Sequence, residues 1–104
     1  MMRGMGNMQG MMKQVQKMQK QMEKDQEALK LKEFVGESTN NYVKVVATGD
    51  RKIKDITIAP AIIDSDDPEM LQDLVLTTIN DVLDKIDKEN EAMMGQYTKG
   101  IPGL

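Results

Sequence analysis

The sequence predicts an α+β domain in the order α-β-β-β-α, with a three-stranded antiparallel sheet flanked by two helices. Three observations carry this. From about Met8 to Lys32 the apolar positions recur at steps of three and four, the period of a helix. Between Glu33 and Ala59 the period falls to two, in three short runs parted by turn residues. From Asp67 onward the helical period returns. Connections between the strands are too short for a crossover, so neighbouring strands must run antiparallel.

The first helix has two faces. Met8, Met11, Val15, Met18, Met22 and Leu29 occupy the a and d positions of a heptad, with Asp25 interrupting the seam at a d position. At about 100° per residue, Lys13, Lys17, Lys20 and Lys24 share a strip roughly 60° wide on the opposite side. Glutamines fill the space between and favour helix without adding charge. The seam is expected to pack, under the sheet or a partner helix. The lysine strip is either a solvated face or a surface for a polyanion.

The strands follow. "EFVGES" is a short candidate. "YVKVVAT" puts Val43, Val45 and Ala47 on one face. "KIKDITIA" puts Ile56 and Ile58 together. "STNN" separates the first two strands. "TGDR" makes a hairpin turn, with Gly49 and Asp50 supplying the turn chemistry. Val43, Val45, Ile56 and Ile58 are the expected sheet core.

Pro60 ends the third strand. Asp67 as N-cap with Pro68 at the first helical position opens the second helix. Asp66 with Glu69 is the capping alternative one residue earlier. Leu71, Leu74, Val75, Ile79, Val82, Leu83 and Ile86 give this helix a wide apolar face. It is expected to stop near Met94, before Gly95. Residues 1–104 read as a single domain, with residues 1–7 flexible and residues 95–104 an irregular tail.

Composition narrows the chemistry. There is no cysteine and no histidine. That removes thiolate ligands, the usual general base and the commonest transition-metal ligand. "DSDDPE" lacks the glycine and terminal glutamate of a calcium loop and reads as a helix cap. Gly4 and Gly6 follow no strand and make no nucleotide fingerprint. No catalytic residue, metal, cofactor or small-molecule substrate is expected. No apolar run reaches the ~20 residues of a membrane span, and a soluble cytoplasmic protein is expected. Aromatics are limited to Phe34, Tyr42 and Tyr97, so large anchoring side chains are scarce and self-association is expected to supply more buried area.

Net charge is −3, which argues against a polyanion partner, but its distribution does not. Residues 1–32 carry seven basic groups against three acids, and the rest of the chain carries seven against fourteen. Such asymmetry marks a polyanion-facing end.

Four stretches, "NMQGMMKQVQKMQKQM", "YVKVVATGDRKIKDITIAP", "DDPEMLQDLVLTTINDVLDK" and "MGQYTKGIPGL", occur in this order across almost the whole chain. Together they resemble the YbaB/EbfC family of bacterial nucleoid-associated proteins. The chain departs from the family at "STNNY", where a glycine-rich turn is common, and at Thr98-Lys99-Gly100, where the family has Thr-Gly-Gly. The resemblance implies a tweezers-like homodimer that binds duplex DNA at the nucleoid without catalysis, affecting gene expression or nucleoid organisation. It also implies that the projecting helices, Met8–Lys32 and the segment around Glu91–Lys99, contact DNA. Lys13, Lys17, Lys20 and Lys24 are therefore the expected phosphate contacts, with Arg3 and Lys99 as secondary candidates. The alternative is a protein-interaction module that grips a partner helix through the methionine seam.

Overall fold

The computed structural model describes residues 2–99, with side chains for residues 8–97. Its elements are α1 (Met2–Leu31), β1 (Glu33–Glu37), β2 (Val43–Thr48), β3 (Ile53–Ile58) and α2 (Pro68–Lys99). The strands form one antiparallel sheet in the order β1-β2-β3. The α-β-β-β-α order predicted from periodicity is the order observed.

Burial in the strands follows the pleat. Phe34 and Gly36 of β1 and Val43, Val45 and Ala47 of β2 are buried, while their sequence neighbours face outward. α2 lies over this face and adds Val82, Ile86 and Thr78. It approaches β1 closely, since a Cβ on Gly36 would stand 2.7 Å from the Thr78 carbonyl oxygen. The buried Thr78 hydroxyl donates to the Leu74 carbonyl at 2.6 Å, so it leaves no unmet polar group. Ile62, in a short 3-10 turn after β3, closes one end of the core.

The second helix begins as its sequence dictates. Asp67 caps it by accepting from the Met70 amide at 3.2 Å, with Pro68 in the first turn. Its end differs from expectation, because α2 runs past Met94 and through Gly95 to Lys99. Glycine within a helix costs ~1 kcal/mol relative to alanine. Packing of α2 against α1 at this level outweighs that cost. α1 likewise begins at Met2, ahead of the expected start near Met8.

Ile56 is a correction to the expected core. It pairs directly with Val45, so the two side chains share a face, yet Val45 is 0% exposed and Ile56 43%. α2 spans β1 and β2 and stops short of β3. Ile53 and Ile56 are thus left open, and Ile58 is half-buried.

The β2–β3 hairpin also differs in detail. Its left-handed residue is Arg51, at φ 66°, rather than Gly49. Gly49 serves a different need. Its amide donates to the Lys32 carbonyl at 2.9 Å, and a Cβ there would run into the Leu29 carbonyl. The hairpin thereby abuts the end of α1. Across β2–β3 the register shifts between Val46 and Ala47, leaving Lys54 as a bulged residue.

Candidate nucleic-acid interface

Among the described residues, α1 is anchored at its C-terminal end. There it runs antiparallel to α2, and three contacts tie the pair. The Lys32 ammonium meets Glu89 at 2.7 Å, Gln26 donates to the Met94 sulfur at 3.8 Å, and the Tyr97 hydroxyl donates to the Asp25 carboxylate. Gln21 also donates to Asp25, at 3.0 Å. These bonds, Tyr97's foremost, hold the Asp25 carboxyl below its ordinary value, and the Tyr97 phenol is pushed up to about 12. The charged residue that breaks the seam is therefore half of a bond between helices. Spacing along α1 shows the interruption, but nothing in the sequence points to Tyr97 as its partner.

Beyond this root α1 projects as an arm. Every described residue from Met8 to Lys17 is exposed, and the molecule extends 79 × 23 × 16 Å. Lys13, Lys17, Lys20 and Lys24 are all exposed along the arm and, among the described residues, have no carboxylate within ion-pair reach. Other cations are engaged: Arg51 with Asp87, Lys54 with Glu33, Lys85 with Asp81 and Lys30 with Glu27. Arg3 and Lys99 stand at helix ends whose side chains lie outside the described residues.

Of the two covers expected for the methionine seam, the sheet does not reach its outer part within the protomer. Met8, Met11 and Val15 are 65%, 66% and 52% exposed. Only Met18, Met22 and Leu29, nearer the root, are half-buried.

A sequence model of the YbaB/EbfC DNA-binding family matches residues 5–101. The chain belongs to this family. It is similar to a nucleoid-associated protein of Enterococcus faecalis, 63% identical over 104 residues and covering 100% of both chains. A nucleoid-associated protein of Pediococcus pentosaceus is 54% identical over 101 residues, covering 97% of each. Among solved structures, an uncharacterized protein from Helicobacter pylori shares the fold at TM-score 0.71 and 17% identity. That match covers 85% of this chain and 92% of the other.

In this YbaB/EbfC chain the net acidity belongs to the body, not to the arm. Residues beyond 32 carry fourteen acids, many of them on α2. Lys13 lies about 18 Å from Asp25 along α1, at ~1.5 Å per residue. That exceeds the Debye length of ~8 Å at physiological salt. The acids at the root therefore do little to cancel the potential around Lys13, whereas Lys20 and Lys24 lie within a Debye length of Asp25. No helix among the described residues is long and apolar enough to cross a membrane.

Proposed function

We propose that this protein binds duplex DNA as a homodimer at the cytoplasmic nucleoid, in keeping with relatives named nucleoid-associated proteins, and that Lys13, Lys17, Lys20 and Lys24 contact phosphates. Arg3 and Lys99 are secondary contacts. The carrying observation is the row of four lysines that, among the described residues, have no carboxylate partner on a projecting arm, where most other described cations are paired. Lysine is a compact point charge, suited to phosphate oxygens rather than bidentate reading of base edges. Binding is therefore weakly dependent on sequence, and the role is binding rather than catalysis.

Exposed area supports the dimer. The protomer exposes 8229 Å², whereas a compact monomer of this mass exposes ~5,900 Å². The excess is more than the ~800 Å² per partner that a standard interface buries. One apolar patch suits a second copy. Leu76, Ile79 and Leu83 follow one another at helical spacing along the flank of α2 that ends at Asp87, and Asp87 reaches Arg51 beside β3. On the same side of the molecule Ile53 and Ile56 of β3 are open.

Gel shifts against random-sequence duplexes over a salt series test the reading. Similar affinity on every sequence, falling steeply with salt, is expected. Absence of binding at low salt would overturn it.

A further inference from the structure

We propose that Tyr97 and Asp25 are positioning residues for DNA binding, setting the angle at which α1 leaves the body and the side its lysines face. The inference rests on the DNA reading and adds to it the contact that aims the arm. Asp25 stands in the apolar seam of α1, where Met11 and Met18 hold the two preceding d positions. One polar side chain in such a seam fixes the register of packed helices, at a cost in stability. The structure supplies the partner that this role needs. The Asp25 carboxylate accepts from the Tyr97 hydroxyl of α2, and from the Gln21 amide group of its own helix at 3.0 Å. Bonds to an ionised carboxylate are the stronger kind. Gln21 orients the carboxylate on α1, and Tyr97 then ties that helix to the body.

Its place along α1 gives this bond leverage. Of the three contacts that tie the helices, it is the outermost on α1. Lys32 with Glu89 stands at the pivot, where the Gly49 amide also holds the Lys32 carbonyl. Gln26 reaches only the Met94 sulfur, a weak acceptor. Lys13 lies about 28 Å from Lys32 along the helix, and Lys24 about 12 Å, at ~1.5 Å per residue. A swing of about 10° at the root therefore moves Lys13 by about 5 Å and Lys24 by only about 2 Å. Phosphates of one strand follow each other every ~3.4 Å along the duplex axis. A small swing thus takes Lys13 out of step with a backbone that Lys24 still meets. Rotation of α1 about its own axis is fixed by the same bond, because the lysines lie across that axis from the seam.

The test measures affinity of the full chain for a random-sequence duplex over a salt series, with Tyr97→Phe made in two backgrounds, the parent and Asp25→Ala. Phenylalanine keeps the ring and removes the hydroxyl, and alanine favours helix. Comparing Tyr97→Phe within each background cancels the direct effect of removing a negative charge near the lysines. In the parent background affinity should fall about two- to tenfold, the bias that one net hydrogen bond supplies. In the Asp25→Ala background it should not fall. The salt slope should keep its parent value, because every lysine remains. That separates lost aim from lost charge. Arm direction is read without DNA by spin labels at Gln16→Cys and Lys88→Cys, both exposed positions in a chain that has no cysteine of its own. Labelled chain is diluted into unlabelled chain so that distances within one protomer are measured. Tyr97→Phe should broaden their distribution. An unchanged distribution, an affinity indifferent to Tyr97→Phe, or equal losses in the two backgrounds would overturn this proposal alone. Absence of duplex binding by the parent would overturn the DNA reading and this one with it.

Discussion

The Tyr97 hydroxyl donates to the Asp25 carboxylate across the two long helices, near the point where α1 leaves the body. This bond stands at the root of the arm and gives the arm's attachment a pH dependence. Tyr97 is raised from 10.0 to about 12, so its contribution is complete below pH 10 and is lost as pH rises from 10 toward 12. Asp25 is lowered from 3.8, so its contribution is present above pH 3.8 and is lost as pH falls below that value. In a Tyr42→Phe background, where Tyr97 is the remaining tyrosine, tyrosinate absorbance should rise with a midpoint near 12. Asp25→Asn should bring that midpoint down toward 10. A midpoint indifferent to Asp25→Asn would show that the bond does not form in solution.

Lys17→Gln combined with Lys20→Gln removes two charges while keeping helix propensity and leaving the methionine seam alone. Affinity should fall on every duplex tested. The slope of log affinity against log salt should become shallower by about 0.9 for each phosphate that is no longer neutralised. Solution mass and melting temperature should hold. An unchanged slope in a folded protein would reduce the stripe to a solvated face and direct attention to the region of Lys99.

Val45 and Ile56 face each other across β2 and β3, yet they should respond differently to the same change. Val45→Asp places a carboxylate where no water reaches, a class of substitution that costs several kcal/mol. Loss of soluble protein or of cooperative melting is expected. Ile56→Asp puts the same group on the open patch. It should leave a folded protomer whose mass by light scattering falls from a dimer toward 11.7 kDa. Retention of the dimer by Ile56→Asp would place the interface elsewhere.

Gly49→Ala adds a methyl group against the Leu29 carbonyl. The backbone must shift to accept it, and overpacking of this kind costs about 1–3 kcal/mol. A lower melting temperature is expected, together with faster amide exchange in the last turn of α1. A parent-like melt would show that the hairpin and the helix end have room to separate.

Local signals explain what the sequence makes legible. The Asp67–Pro68 start of α2, the alternating burial of β2 and the angular strip of lysines each depend on a few adjacent residues and elementary geometry. The misplaced features depend on coverage at a distance. Alternation puts Ile56 on the inner face, but it says nothing about how far α2 reaches across the sheet. Gly95 is a stop signal by propensity, and it is overridden where α2 has α1 to pack against. Gly49 reads as a residue chosen for the turn's conformation, whereas its constraint comes from Leu29 in another element. The methionine seam is legible as an apolar face. Its exposure is not, because the length of the arm beyond its last partner is a tertiary fact.

The lysine arm and the acid-rich body lie toward opposite ends of a molecule 79 Å long. Such a separation makes each protomer a strong electric dipole, and a dipole near a line of phosphates experiences a torque as well as a pull. On the proposed reading, in which the arm's lysines meet the phosphates, this torque turns the protein arm-first during approach and fewer encounters are wasted on wrong orientations. Seated in that way, neighbouring molecules would repel each other along the duplex through their trailing acidic ends. Electrostatics then sets a minimum spacing between occupants. Added salt acts in two directions, weakening each attachment while letting neighbours crowd closer as their mutual repulsion is screened.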